Sequence, residues 1–128
     1  MLKNILLVAL GGAAGSVARY LLSKAIQDTA ATAFPWGTMA VNVAGCLLIG
    51  LFYGLSSGDG ARLGADLKLM LTVGFCGGFT TFSTFANESL TLAKTGDALL
   101  SAAYIGSSVA LGMLAVMAGA QLAKAFAS

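Results

Sequence analysis

Four long apolar blocks, at roughly 4–26, 36–57, 67–93 and 98–123, take up most of this 128-residue chain and leave it few ways to fold. Each is close to the ~20 residues a helix needs to cross the hydrocarbon core of a bilayer. Only 9% of the residues are charged, against about 25% in ordinary globular chains, too few to cover a water-exposed surface. Residues 1–128 therefore read as one all-α integral membrane domain of four transmembrane helices, with no separate catalytic or ligand-binding module. The first block follows Met1-Leu2-Lys3 and carries Arg19 and Lys24. It is longer than the apolar core of a signal peptide (about 7–15 residues), so it reads as a retained first span.

The residue inventory narrows function. No His is present, which removes the usual general base and the commonest metal ligand. Cys46 and Cys76 lie inside apolar blocks and read as packed thiols rather than a disulfide. A scattered net charge of +2 gives no footprint for nucleic acid. The connectors are predicted around Gln27 to Phe34, from Ser56-Ser57-Gly58-Asp59-Gly60 on to Asp66, and at Lys94-Thr95-Gly96-Asp97. Trp36, in Pro35-Trp36-Gly37, is placed as an interfacial anchor. With four spans both termini share one side. Lys3, Arg62, Lys68 and Lys124 fall on that side and Lys24 and Lys94 on the other, a bias of four to two. Under the positive-inside rule this bias reads two ways, as cytoplasmic termini or as near-indifference that permits insertion in both orientations and an antiparallel homodimer.

Small residues at four-residue spacing let helices approach closely in lipid. Gly11, Gly12, Gly15 and Ser16 mark such a face in the first span; Gly45 and Gly50 bring small residues to the second, and Gly106, Gly112 and Gly119 to the fourth. The third span differs. Gly74-Phe75-Cys76-Gly77-Gly78-Phe79-Thr80-Thr81-Phe82-Ser83-Thr84-Phe85 sets a glycine pair and four hydroxyls at mid-membrane depth. Gly costs ~1 kcal/mol in a helix and Thr loses rotamer freedom, so a helix break is predicted near 77–81. Such a break must face protein, water or an ion, and its carbonyls suit a small hard cation. A kinked helix whose hydroxyls bond back to their own carbonyls is the competing account.

Phe79, Phe82 and Phe85, three apart, are expected on roughly one helical face, where positively polarised ring edges suit an anion. Asn42, deep in the second span, offers two amide donors to an anion or an interhelical hydrogen bond. Arg19 either snorkels or pairs with carbonyls. Glu88 pairs with a cation or lines a wet vestibule, and Tyr104 and Ser108, four apart, point their hydroxyls the same way.

These residues bring a family into view. Gly11-Gly12, Gly15 and Arg19, then Pro35-Trp36-Gly37-Thr38 with Asn42 and Gly45, then Gly77-Gly78-Phe79-Thr80-Thr81-Phe82-Ser83-Thr84-Phe85, and more loosely Tyr104, Ser108 and Gly112, resemble the Fluc-type (CrcB) fluoride channels along the whole chain. The nine-residue stretch in the third span is the most specific match. The resemblance implies an antiparallel, dual-topology homodimer in a bacterial plasma (inner) membrane, with two separate fluoride pores. By that likeness Phe82 and Phe85 supply ring edges to fluoride and Asn42 donates to it. Ser83, Thr84, Tyr104, Ser108 and Glu88 line the polar route, with Arg19 near the mouth. The carbonyls of Gly77 and Thr80 hold a central structural sodium.

The rival is a small multidrug transporter-like, proton-coupled exporter, which needs a titratable carboxylate deep in a span, normally the first. Here the first span's charges are basic and Glu88 is the one carboxylate inside a span. A non-transporting assembly subunit leaves the polar cluster unexplained, and an intramembrane enzyme lacks a nucleophile–base pair.

Overall fold

The computed structural model describes residues 1–30, 32–56 and 63–127. The middle of the second predicted connector, with Arg62 from the charge balance, lies outside the described residues. The elements are α1 (Leu2–Ala30), α2 (Trp36–Leu55), α3 (Ala65–Leu69), a π-helix (Met70–Cys76), α4 (Gly77–Phe79), α5 (Phe82–Lys94) and α6 (Ala98–Ala127). The elements from Ala65 to Lys94 follow one another as a single crossing, so the described residues form four spans long and apolar enough for a membrane. All three connectors are shorter than the sequence suggests. α1 runs on through Gln27 to Ala30, and Asp66 and Lys94 lie inside helices. Polar residues at the membrane edge do not stop a helix; they carry it into the interface.

Leu2, Leu10, Leu99, Met113 and Met117 are each more than 60% exposed, whereas Gly11 and Gly15 are the buried residues of α1. This inverted distribution is what lipid solvent dictates: large apolar side chains face the acyl chains, and small residues let backbones meet. A Cβ on Gly15 would strike the Phe75 carbonyl and the Phe79 amide, and one on Gly11 would strike the Met70 carbonyl. On the other side of that contact, Gly78 lies against the Gly12 carbonyl and Ser16. A second seam joins α2 to α6, where Gly50 rests on Val116 and Gly119 on Leu47 and Leu51. Gly106 meets nothing within reach of a Cβ, so it takes no part in either seam.

The third span breaks at Thr80 and Thr81, both extended (φ −97°, ψ 160° and φ −150°, ψ 118°). The predicted site is thus correct in place, and of its two causes the threonines hold while the glycines do not. Gly77 and Gly78 are helical, and Gly78 serves close packing; the two β-branched threonines, at home in extended backbone, make the break. Thr80 ends the first half by donating its N–H and its hydroxyl to the Cys76 carbonyl (3.0 and 2.9 Å). Thr81 starts the second half as an N-cap, its Oγ1 accepting from the Thr84 amide at 3.2 Å. The far end of α5 closes with Gly96 at φ +90°. There the amides of Gly96 and Asp97 donate to the carbonyls of Ala93 and Leu92, a Schellman turn that requires a left-handed residue.

Candidate functional site

A break in mid-membrane frees backbone groups that lipid cannot satisfy, so each needs a partner from another helix. Asn42 on α2 supplies two at once. Its Oδ1 accepts from the Thr81 amide at 2.8 Å and its Nδ2 donates to the Thr81 carbonyl at 3.1 Å. The interhelical account of Asn42 therefore holds for its oxygen and one amide hydrogen. Arg19 on α1 donates from Nε to the Gly78 carbonyl at 2.9 Å, the carbonyl-pairing outcome of the two foreseen for it. Among the described residues no hydrogen bond ends on the carbonyls of Gly77 or Thr80. Gly45 makes the geometry possible, because a Cβ there would collide with the Thr80 methyl.

The break also divides the phenylalanines. Phe79, in the first half, is buried and stacks on Phe75 at 5.6 Å, so the expected three-ring stripe does not form: two extended residues intervene and reset the helical phase. Phe82 and Phe85 remain a pair, 6.0 Å apart and inclined by 49°. Phe82 is 80% exposed. Phe85 is half-buried and backed by Tyr104 at 5.1 Å, whose other side meets Phe34 edge-on at 5.4 Å.

Tyr104 is fully buried and donates its hydroxyl to Glu88 Oε1 at 3.3 Å, which gives Glu88 a partner within the chain. Thr81 Oγ1 donates to Thr84 Oγ1 at 3.1 Å and lies 3.4 Å from Ser83 Oγ, so these hydroxyls form a small exposed cluster at the start of α5. The Ser108 hydroxyl is buried with no hydrogen-bond partner among the described residues. Both cysteines are free, Cys76 buried and Cys46 half-buried.

Asn42, Gly77, Thr80, Phe82 and Phe85 come together along a groove of about 330 Å³, with Cys46, Thr72 and Thr81 among its other walls. Ser83, Thr84, Glu88, Tyr104 and Ser108 are not among the lining residues; Tyr104 backs Phe85 and holds Glu88, and Arg19 reaches the break from the α1 side. Among the described residues no charged one lines the groove. Sequence reasoning missed Thr81 as the hub of the break, although a Thr just ahead of a helix start is a capping signal. It also missed Gln27. That side chain donates to the Thr32 and Phe34 carbonyls (2.9 and 3.2 Å) and accepts from the Gly37 amide (3.1 Å), bracing the α1–α2 turn.

Four apolar spans enclosing a broken helix, uncovered carbonyls and ring edges define a multi-pass membrane protein whose polar chemistry is suited to small ions. Comparison with known proteins makes this specific. Residues 6–120 match the family described as CrcB-like protein, Camphor Resistance (CrcB), and the chain belongs to that family. It is 55% identical over 118 residues to the fluoride-specific ion channel FluC of Phocaeicola vulgatus, covering 92% of this chain and 96% of that one. It is also 49% identical over 128 residues to the FluC of Bacteroides fragilis (98% and 99% covered). The FluC of Flavobacterium psychrophilum matches at 45% over 123 residues (96% and 98%).

Proposed function

We propose that this protein is a fluoride-selective passive channel, not an enzyme, that lets fluoride leave the cytoplasm and so protects the cell from it. The carrying observation is the near-full-length identity to proteins named fluoride-specific ion channels. The broken third span beside Phe82, Phe85 and Asn42 is consistent with that work. Fluoride is small and tightly hydrated, so a pore must replace its water with fixed donors and polarised ring edges and still release it. A groove without formal charge meets both needs. No pump is required: HF enters as a neutral acid, dissociates in the cytoplasm, and the membrane potential, worth ~2.3 kcal/mol per charge per 100 mV, drives the anion out.

Two copies inserted antiparallel complete the reading. Gly77, Phe82, Ser83 and Thr84 are exposed on the single chain, near the centre of a span where lipid penalises uncovered polar groups. A second copy would cover them, and the four-to-two charge bias suits dual topology. The open carbonyls of Gly77 and Thr80 fit a sodium ion shared between the copies, which would supply a fixed positive centre for backbone that nothing else neutralises.

Purified protein in liposomes tests this reading. Fluoride should leave rapidly and chloride slowly, without a proton gradient, and coupled drug–proton exchange would support the transporter reading instead. Phe82→Ile should slow fluoride release at least about tenfold, the loss of a contact near 1.4 kcal/mol, with the assembly intact; wild-type release would remove the ring edge from the mechanism. The protein should melt higher in sodium than in a bulky organic cation, and equal melting would count against the ion.

A further inference from the structure

The groove at the break has α2 for one wall and the third span for another. At about 100° per residue, Asn42, Gly45, Cys46 and Ile49 fall on an arc of about 100° of α2, and all four line it. Gly45 lies against the Thr80 methyl, and Thr80 closes its turn on the Cys76 carbonyl. Cys46 and Cys76 therefore reach the same space from opposite walls, and their thiols are near enough for their charges to interact. Gly112 of α6 leaves room for the Cys46 sulfur, which a Cβ there would meet at 3.3 Å. The other polar side chains of the groove are already engaged. Asn42 holds Thr81, Thr72 donates to the Lys68 carbonyl, Thr80 to the Cys76 carbonyl and Thr81 to Thr84. Cys46 and Cys76 are free thiols that make no hydrogen bond to another described residue. They are the ligands this groove has to offer.

We infer that Cys46 and Cys76 form a two-thiolate site for a thiophilic divalent cation of the Hg2+ type, and that the bound ion closes the groove to fluoride. The closing rests on the fluoride-channel reading; the site itself does not. Thiolates select soft metals, and Hg2+ favours two sulfur ligands in line, so a pair suffices. Charge balance points to the same ion. Two S–H bonds break, two Hg–S bonds form and two protons leave for water, with no change of oxidation state. The product is neutral, as a membrane interior requires. Among the described residues no carboxylate lines the groove, so a hard divalent ion, which calls for charged oxygen ligands, finds no such neutralisation. The site lies one helical turn from Asn42 on one wall and one turn from Thr80 on the other, in the groove that Phe82 and Phe85 also line.

Fluoride efflux from proteoliposomes in a nitrate medium tests this, since chloride would complex the metal. Micromolar Hg2+ should abolish efflux through the unaltered protein, and excess dithiothreitol should restore it. Cys46→Ser and Cys76→Ser are each read against their own metal-free efflux. Each should need about a hundredfold more Hg2+ for half block, the loss of one of two linked ligands. Wild-type sensitivity in either variant overturns the pair, and an unaltered protein that Hg2+ does not slow overturns the closing. Titration of the purified protein in detergent needs no conduction. Mercury–thiolate absorbance in the ultraviolet should saturate at one ion per chain; saturation at two, one on each independent thiol, would overturn the bridge. A mercury-dependent dimer band on a denaturing gel would set the bridge between copies and overturn it equally. Vesicles in which the unaltered protein releases no fluoride before metal is added would instead sink the parent reading, and the titration would still decide the site.

Discussion

The two halves of the third span obey different packing rules. Before the break, the chain is pressed onto α1 through Gly11, Gly15, Gly74 and Gly78, with backbone against backbone. Within this half, Met70–Cys76 widens into a π-helix, and Thr72 donates its hydroxyl to the Lys68 carbonyl at 2.7 Å. After the break, α5 docks through side chains: Phe85 on Tyr104, Ser101 on the Ser89 carbonyl, Tyr104 on Glu88. The first half is a rigid mount, because glycine contacts leave no rotamer to relax. The second presents exposed rings, hydroxyls and an amide. π-helical turns tend to mark functional sites, and here the turn feeds directly into the groove-lining Cys76 and Gly77.

That contrast can be broken at graded cost. Gly15→Val should do the most damage, about 3 kcal/mol or more, because a side chain there meets the Phe75 and Phe79 backbone with nothing able to yield; loss of folded protein on size exclusion checks it. Asn42→Leu comes next. It strands the amide and carbonyl of Thr81 and should cost about 2–3 kcal/mol, read as a lower melting temperature together with lost fluoride release. Asn42→Asp keeps the acceptor for the Thr81 amide while placing a negative charge in the anion's path, so it should fold better than Asn42→Leu and conduct no better. Thr81→Ala should be mildest, about 1 kcal/mol for a lost N-cap, with Thr81→Ser restoring the wild-type melting temperature. If Thr81→Ala proved more harmful to folding than Gly15→Val, the mount and the presenting half would have been assigned the wrong way round.

Much of this was legible in the chain. The four spans stand out because hydropathy is a local sum over about 20 residues, and the glycine faces of α1 follow from four-residue spacing. The break was legible in Gly77–Thr81 as a region, yet which of its residues would extend was not. Propensity weighs against the glycines and the threonines alike, while packing demands helical glycine at Gly78 and leaves Thr80 and Thr81 to extend. Phe79 was grouped with Phe82 and Phe85 for the same reason, since a three-residue spacing presumes an unbroken helix.

Membrane insertion, helix count and the composition of the third-span signature are properties of contiguous residues, and the sequence by itself determined them. Which groups satisfy the broken backbone was decided only in three dimensions. Asn42 meets Thr81 across 39 positions and Arg19 meets Gly78 across 59, pairings that exist only once the glycine contacts have set the depth and rotation of each helix. A hydrogen bond needs placement within a few tenths of an ångström, and one-dimensional periodicity cannot carry that between helices. Local chemistry named the groups; the close approach of the backbones chose their partners.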